Sequence, residues 1–360
     1  MTYHLITYFC ILIKRKNDLK FVKLFGKKIL VFFGLLFVVQ LITLSVLPYD
    51  YGNLGYAKKA NYLKHHSKEF NTAVFGSSHM FRGVNAPLLD SLLEDKSVST
   101  YNLAMSGTSN PEVYHLYENF LEGVKKGSLK TVLLELQPLN NISLENIYTT
   151  RRSYYNDLPK LIYAWKYIYA SKFSFRKKLS FAKEYFQNFL YSFYNSEIYR
   201  YPIEWHEEKN KPLTSIQGFK SCNQALKEEV GSFIKRKERF QRKPELNRER
   251  IESAKKVREF KKLKFYNKPH LDYMRELIKK SKDKGVELIF IVAPRMQANA
   301  YKQTVPLLKH LPKKNAIDLA DYYHYKELYR RSNAFDESHP NEKGARILTH
   351  LLAGKLNEKL

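Results

Sequence analysis

Cysteine and tryptophan are scarce in this sequence, two of each in 360 residues. The cysteines, Cys10 and Cys222, flank a long apolar run, which argues against a disulfide between them. No Cys/His spacing suited to a metal site is present, so the sequence names no metal and no cofactor. Acidic residues are also few, 35 Asp and Glu against 62 Lys and Arg, for a formal net charge of +27. An excess of that size points to a polyanionic partner, an anionic membrane surface, or both. Tyrosine (27) and phenylalanine (23), by contrast, are abundant. The length, with 44% hydrophobic and 27% charged residues, suits one large domain with an insertion, or two domains.

Ile29 to Leu47 carries no charge and is long enough to cross a bilayer as one helix. Lys14, Arg15, Lys16, Lys20, Lys23, Lys27 and Lys28 precede it. That flank predicts a cytoplasmic N-terminus and a C-terminal part outside the cytoplasm, periplasmic or at the cell surface. A cleaved signal peptide would have a shorter apolar core followed by a small-residue site, and Pro48-Tyr49-Asp50-Tyr51 is not one. The reading is an uncleaved single-pass anchor. Met1 to Ile13 is too short to span; it is either interfacial or an upstream start that is seldom used. The part after the anchor stays strongly basic. Nucleic acid is a poor partner outside the cytoplasm, so acidic glycans, teichoic-type polymers or anionic lipid head groups are expected instead.

From Asn71 the pattern alternates. Short apolar runs at Thr72–Phe75, Val98–Leu103, Thr131–Leu136, Val286–Val292 and Ala316–Leu319 predict strands. Helical periods at Pro111–Val124, His270–Lys284 and Asn341–Leu356 lie among them, so the expected class is α/β with a mostly parallel five-stranded sheet. Arg151 to Phe265 breaks the rhythm. Tyr154–Trp205 is dense in aromatics among Lys and Arg, and Cys222–Lys264 is very polar and helical in flavour. It is read as a helical insertion: either a subdomain whose aromatics form its own core, or a basic aromatic lid on the membrane or on sugar rings. The expected division is a basic N-terminus (1–28), an anchor (29–48), a linker (49–70), a first domain part (71–150), the insertion (151–265) and a second part (266–360).

Val74-Phe75-Gly76-Ser77-Ser78-His79 places a serine where a strand breaks toward a helix starting within Met80–Leu89, with Gly83 and Pro87 near the turn. In open α/β sheets, chemistry sits at that carboxyl edge. A base is available in Phe335-Asp336-Glu337-Ser338-His339-Pro340-Asn341. Taken singly, the first motif also reads as a turn with an N-cap serine, and the second as a loop capping the last helix. A third stretch, Tyr101 to Asn110, ends a strand in a loop containing Gly107, whose backbone N–H could approach a reacting carbonyl. The Gly-x-Ser-x-Gly elbow of α/β-hydrolases is missing, because Met80 stands where its last glycine belongs.

In these three stretches the chain resembles the SGNH (GDSL-like) hydrolase superfamily. Gly76-Ser77-Ser78 matches the Gly-Asp-Ser block with serine for aspartate, a variant familiar among membrane-anchored relatives of alginate O-acetylation and teichoic-acid D-alanylation proteins. Gly107 falls on the second-block glycine, and Asp336 and His339 on the final Asp-x-x-His. The third block departs: where the family has Gly-x-Asn-Asp this chain has Gln137-Pro138-Leu139-Asn140-Asn141, so Asn140 or Asn141 is the candidate side-chain donor. The resemblance implies a three-layer αβα, flavodoxin-like fold. It implies Ser78 as nucleophile, His339 as base, Asp336 as its orienting carboxylate, and an oxyanion site at the Ser78 and Gly107 N–H groups. The expected activity is that of an esterase or O-acyltransferase on acyl esters of a cell-envelope glycan, through an acyl-serine, with a membrane-bound acyltransferase as candidate partner. The alternative is a degenerate module that binds such a polymer or scaffolds that acyltransferase. His79 is given no role.

Overall fold

The computed structural model describes residues 16–46, 54–138, 151, 157–193, 215–228, 230–265 and 267–360. In chain order, helix α1 (Lys16–Val46) and α2 (Leu54–His65) lead into strand β1 (Thr72–Phe75), followed by α3 (Ser78–Gly83) and α4 (Ala86–Leu92). Strand β2 (Thr100–Asn102), α5 (Glu112–Gly123) and β3 (Thr131–Glu135) come next. Between β3 and the next strand lie α6 (Leu158–Ala170), α7 (Phe175–Phe193), α8 (Cys222–Glu228), α9 (Val230–Arg242), α10 (Pro244–Lys255), α11 (Val257–Phe260) and α12 (Lys268–Asp283). Strand β4 (Glu287–Val292), α13 (Ala298–Leu308), β5 (Ala316–Asp318) and α14 (Glu342–Asn357) complete the chain. Met1–Ile13 and Pro48-Tyr49-Asp50-Tyr51 lie outside the described residues.

The five strands form one all-parallel sheet in the order β2-β1-β3-β4-β5. Each lies within an apolar run read from the sequence, and β3 is buried along its whole length. That continuity is what a parallel strand shows when both its faces are covered. The order reverses between β1 and β3, and the crevice beyond the carboxyl ends at such a switch point is where open sheets bind ligands. Phe75 of β1 pairs with Leu134 of β3, so Gly76 is level with Glu135. The segment expected to carry a single helix after β1 makes two. Asn85 interrupts it and caps α4, its side chain accepting from the Leu88 N–H, and Pro87 occupies the first turn, where its missing N–H costs nothing.

One continuous core joins the sheet to Tyr114, Tyr117 and Phe120 of α5, Met274 and Leu277 of α12, and Leu348, Leu352 and Leu356 of α14. Helix α1 is different. Its stretch Lys20–Ile42 has a mean hydropathy of 2.0 and points its apolar side chains outward, Leu30 being 73% exposed. It is long and apolar enough to cross a membrane.

Candidate active site

Helix α3 opens directly on Ser78, because Ser77 acts as its N-cap, accepting from the His79 N–H through its side chain. The serine therefore stands at the carboxyl edge of the sheet. The loop carrying Asp336 and His339 is folded onto that edge by a bridge between Ala334 and Pro340. Phe335 N–H donates to His339 O at 2.9 Å, and Asn341 caps α14 by accepting from the Gly344 N–H. Ser78 and His339, 261 positions apart, meet: His339 Nε2 is 2.8 Å from Ser78 Oγ. His339 Nδ1 lies 2.9 Å from both Asp336 oxygens, so Nδ1–H faces the carboxylate and the Nε2 lone pair faces the serine hydroxyl. Asp336 Oδ1 also accepts from the backbone N–H groups of Ser338 and His339, each at 2.8 Å. Burial alone would raise the Asp336 pKa. The His339 hydrogen bond and charge, with these two N–H groups, prevail and hold it below the ordinary carboxylate value.

The loop after β2 is tied to the same edge. Met105 N–H and Thr108 Oγ1 both donate to Gly76 O, at 3.0 and 2.8 Å. Within that loop Gly107 has φ +73°, a left-handed conformation that costs glycine little. Buried Lys59 donates to Asn102 O, Ala104 O and Gly218 O, clamping the loop onto α2 and the 215–219 turn. Burial, then the charge of Arg82, holds that amine well below an ordinary lysine pKa. Asn140 and Asn141, the candidate side-chain donors, lie outside the described residues.

Beneath the serine runs a second network that the sequence reading did not anticipate. Glu135, the last residue of β3, is fully buried. Its Oε2 accepts from Ser77 N–H at 2.6 Å, from Ser77 Oγ at 2.8 Å and from Gln137 Nε2 at 2.8 Å. Its Oε1 accepts from Arg295 Nη2 at 2.5 Å. Because the Ser77 hydroxyl hydrogen goes to Glu135, Ser77 Oγ is the acceptor toward His79 Nδ1 at 2.8 Å, which makes Nδ1 the protonated nitrogen of that ring. The His79 ring stacks on His339 at 5.5 Å between centroids. Burial first, then the charges of Arg295, His339 and Arg250, hold the His79 pKa well below the histidine value. His79 is thus a neutral neighbour of the serine–histidine pair, with its Nε2 bare. The available signal was Glu135 itself, a carboxylate closing an otherwise apolar run; nothing local marked Arg295 or His79 as its partners.

A cavity of about 210 Å³ opens beside these groups, lined by His79, Arg295, Ser338, Asn299 and Gln303 among others. Asn299 and Gln303 also line a larger cavity of about 500 Å³, whose wall includes Lys172, Lys264, Lys302 and Phe173. None of the described residues lining either cavity is acidic. Cys222 packs with Phe233 and Phe335 in a small apolar cluster. Burial, then the Asp336 charge, pushes its thiol up to about 12, so it is no thiolate nucleophile. Among the described residues no group of three or more His, Cys, Asp or Glu side chains could hold a metal ion.

Fold and site together define an α/β protein with a serine, histidine and aspartate in hydrogen-bonded series at the carboxyl edge of a parallel sheet. Compared with known proteins, the chain matches no family model and no curated protein.

Proposed function

We propose that this chain is a membrane-anchored serine esterase or O-acyltransferase of SGNH type, with a three-layer αβα domain outside the cytoplasm, acting on acyl esters of a cell-envelope polysaccharide. The observation that carries the reading is the series Ser78 Oγ, His339 Nε2, His339 Nδ1, Asp336, each link at 2.8–2.9 Å. In that arrangement His339 takes the proton of Ser78 as its oxygen attacks the ester carbonyl, and Asp336 stabilises the imidazolium. His339 then returns the proton to the leaving alcohol. The acyl-serine is released when His339 deprotonates water or a glycan hydroxyl and passes that proton back to Ser78 Oγ. The Ser78 N–H is at the first position of α3, where a helix offers no internal acceptor, and it is the first oxyanion donor. Gly107 N–H is the second, with Asn140 or Asn141 as the side-chain donor. A polymeric, acidic substrate is supported by the two cavities, which share Asn299 and Gln303 and carry lysines, an arginine and aromatic rings and no carboxylate among their described lining residues.

The test is labelling of the full chain in detergent by a fluorophosphonate. Modification confined to Ser78, and lost in both Ser78→Ala and His339→Ala, is the expected result. Absence of labelling in the unaltered chain would turn the reading toward a catalytically degenerate module that binds the polymer or scaffolds a membrane acyltransferase.

A further inference from the structure

Helices α6 and α7 pack as a hairpin, and each has two apolar faces. The inner faces meet in a small core of Leu161, Ala164, Tyr167, Ile168 and Tyr185. Apart from Phe193 at the end of α7, the outer faces have no cover among the described residues. On α6, Leu158, Ile162, Trp165 and Tyr169 follow at intervals of four, three and four, one stripe of a helix, and all are exposed, Tyr169 by 83%. On α7, Phe175, Leu179, Phe186 and Phe193 recur at four, seven and seven, again one stripe, with Phe175 81% and Leu179 61% exposed. The two stripes adjoin: Trp165 and Phe186 rings are 6.0 Å apart, and an apolar cavity of about 420 Å³ lies between Trp165, Tyr169, Phe175 and Leu179. Cations flank the stripes, exposed Lys166 on α6 and Arg176, Lys177 and Lys183 on α7.

The outer face lies beside α1. Phe193, at the end of α7, stacks on Phe37 of α1 with centroids 6.0 Å apart. Phe37 belongs to the apolar span Lys20–Ile42, so the end of the hairpin touches the membrane-crossing helix itself. An amphipathic helix lying in the interface is buried about 5–10 Å into the boundary between head groups and acyl chains. Aromatic residues with one wet and one apolar side favour that zone, and cations beside them favour anionic head groups.

We propose that the α6–α7 hairpin is a second membrane contact: its outer face lies on an anionic bilayer beside α1, with Trp165, Tyr169, Phe175, Leu179 and Phe186 at the acyl boundary. The proposal rests on α1 spanning the bilayer and stands whether or not Ser78 is reactive. It gives the hairpin a purpose that its inner core leaves open, namely to hold the serine-bearing domain at one fixed height over the membrane instead of on a loose tether.

The test uses the full chain carrying Trp205→Phe, which leaves Trp165 as the one tryptophan, in vesicles of mixed phosphatidylglycerol and phosphatidylcholine. With lipids brominated near the top of the acyl chain, Trp165 emission should fall roughly by half, and less with bromines near the bilayer centre, as an interfacial depth requires. Leu179→Asp with Phe186→Asp, at exposed positions, should abolish quenching while α1 keeps the protein in the vesicles. Circular dichroism checks the fold. Arg176→Glu with Lys183→Glu, both at exposed positions, should remove the difference between anionic and neutral vesicles. Emission unaffected by bromines at either depth overturns the proposal. So does shielding of Trp165 that appears only as protein density per vesicle rises, since a second copy would then be the occupant.

Discussion

His339 and His79 lie face to face, yet they are prepared differently. His339 has a carboxylate behind Nδ1 and a hydroxyl before Nε2, so a proton arriving at Nε2 is stabilised. His79 has a serine hydroxyl behind Nδ1, and burial first, then positive charge around it, keep it neutral. Loss of Asp336 as a charge should therefore matter more than loss of its shape. Asp336→Asn is expected to slow fluorophosphonate labelling of Ser78 by roughly 10³- to 10⁴-fold without abolishing it. Ser78→Ala with His339→Ala should be no worse than either alone, because the two act as one unit. Glu135 makes a second prediction at this scale. Glu135→Gln leaves the Arg295 guanidinium buried without its counter-charge, and stability measured by urea titration in detergent should fall by about 3–5 kcal/mol. Ser77→Ala removes one hydrogen bond to that carboxylate and the acceptor of His79, and should cost about 1–3 kcal/mol. Equal stability of Glu135→Gln and the parent chain would mean that the network is not closed in solution.

At the scale of elements, the junction of β1 and α3 is set by how closely two strands approach. The sheet register puts Gly76 level with Glu135. A Cβ on Gly76 would stand 2.6 Å from Met80 Cγ and 2.8 Å from Glu135 Cβ and Oε2. Gly76→Ala must therefore displace the buried carboxylate, and with it Ser77 and the start of α3. The expected loss is about 1–3 kcal/mol of stability. Labelling of Ser78 should weaken in the same variant, since the helix that carries the hydroxyl moves. A variant with unchanged stability and unchanged labelling would show that the strands part freely. The helices after β3 bear on the site too. Phe233 of α9 packs edge-on against Phe335, next to Asp336, and Arg239 pairs with Glu337 at 3.3 Å. Gln217 O accepts from Asn102 N–H at 2.8 Å, at the end of β2. Helix α9 and the 215–219 turn thus brace the two loops that flank the serine, one each.

For the molecule as a whole, acidity should be the weak direction. Two histidines of the core, His115 and His270, are pushed down to about 3, both by burial first, and for His115 next by Lys160. Their folded values lie below the unfolded value of 6.5, so between those limits the unfolded chain binds protons that the native one refuses. Their contribution is complete above about pH 6.5 and is lost as pH falls toward 3, at up to about 1.4 kcal/mol per histidine for each pH unit. Asp336 and Glu118, whose pKa values are lowered in the fold, extend the loss in the same direction. The thermal midpoint should drop steadily on acidification below about pH 6.5. His270→Gln, which accepts no proton, should flatten that slope; an unchanged slope would place the titration elsewhere.

The sequence by itself determined the elements that are governed by neighbours along the chain. The five apolar runs became the five strands, since a parallel strand buried on both faces must be apolar throughout. The charge-free run of α1, a capping serine in Gly76-Ser77-Ser78 and the Asp-x-x-His turn were legible for the same reason: each works within a few residues. Only the tertiary structure decided what meets across the sheet. Glu135 finds Ser77 58 positions away and Arg295 160 positions away, through strand register and the order β2-β1-β3-β4-β5, neither of which leaves a local mark. His79 received no role from its place beside Ser78, because a side chain's direction at a helix start depends on what the sheet brings beneath it. The outer stripes of α6 and α7 were dense aromatics in the sequence, and it took the packing of their inner stripes to show which rings the fold leaves outside.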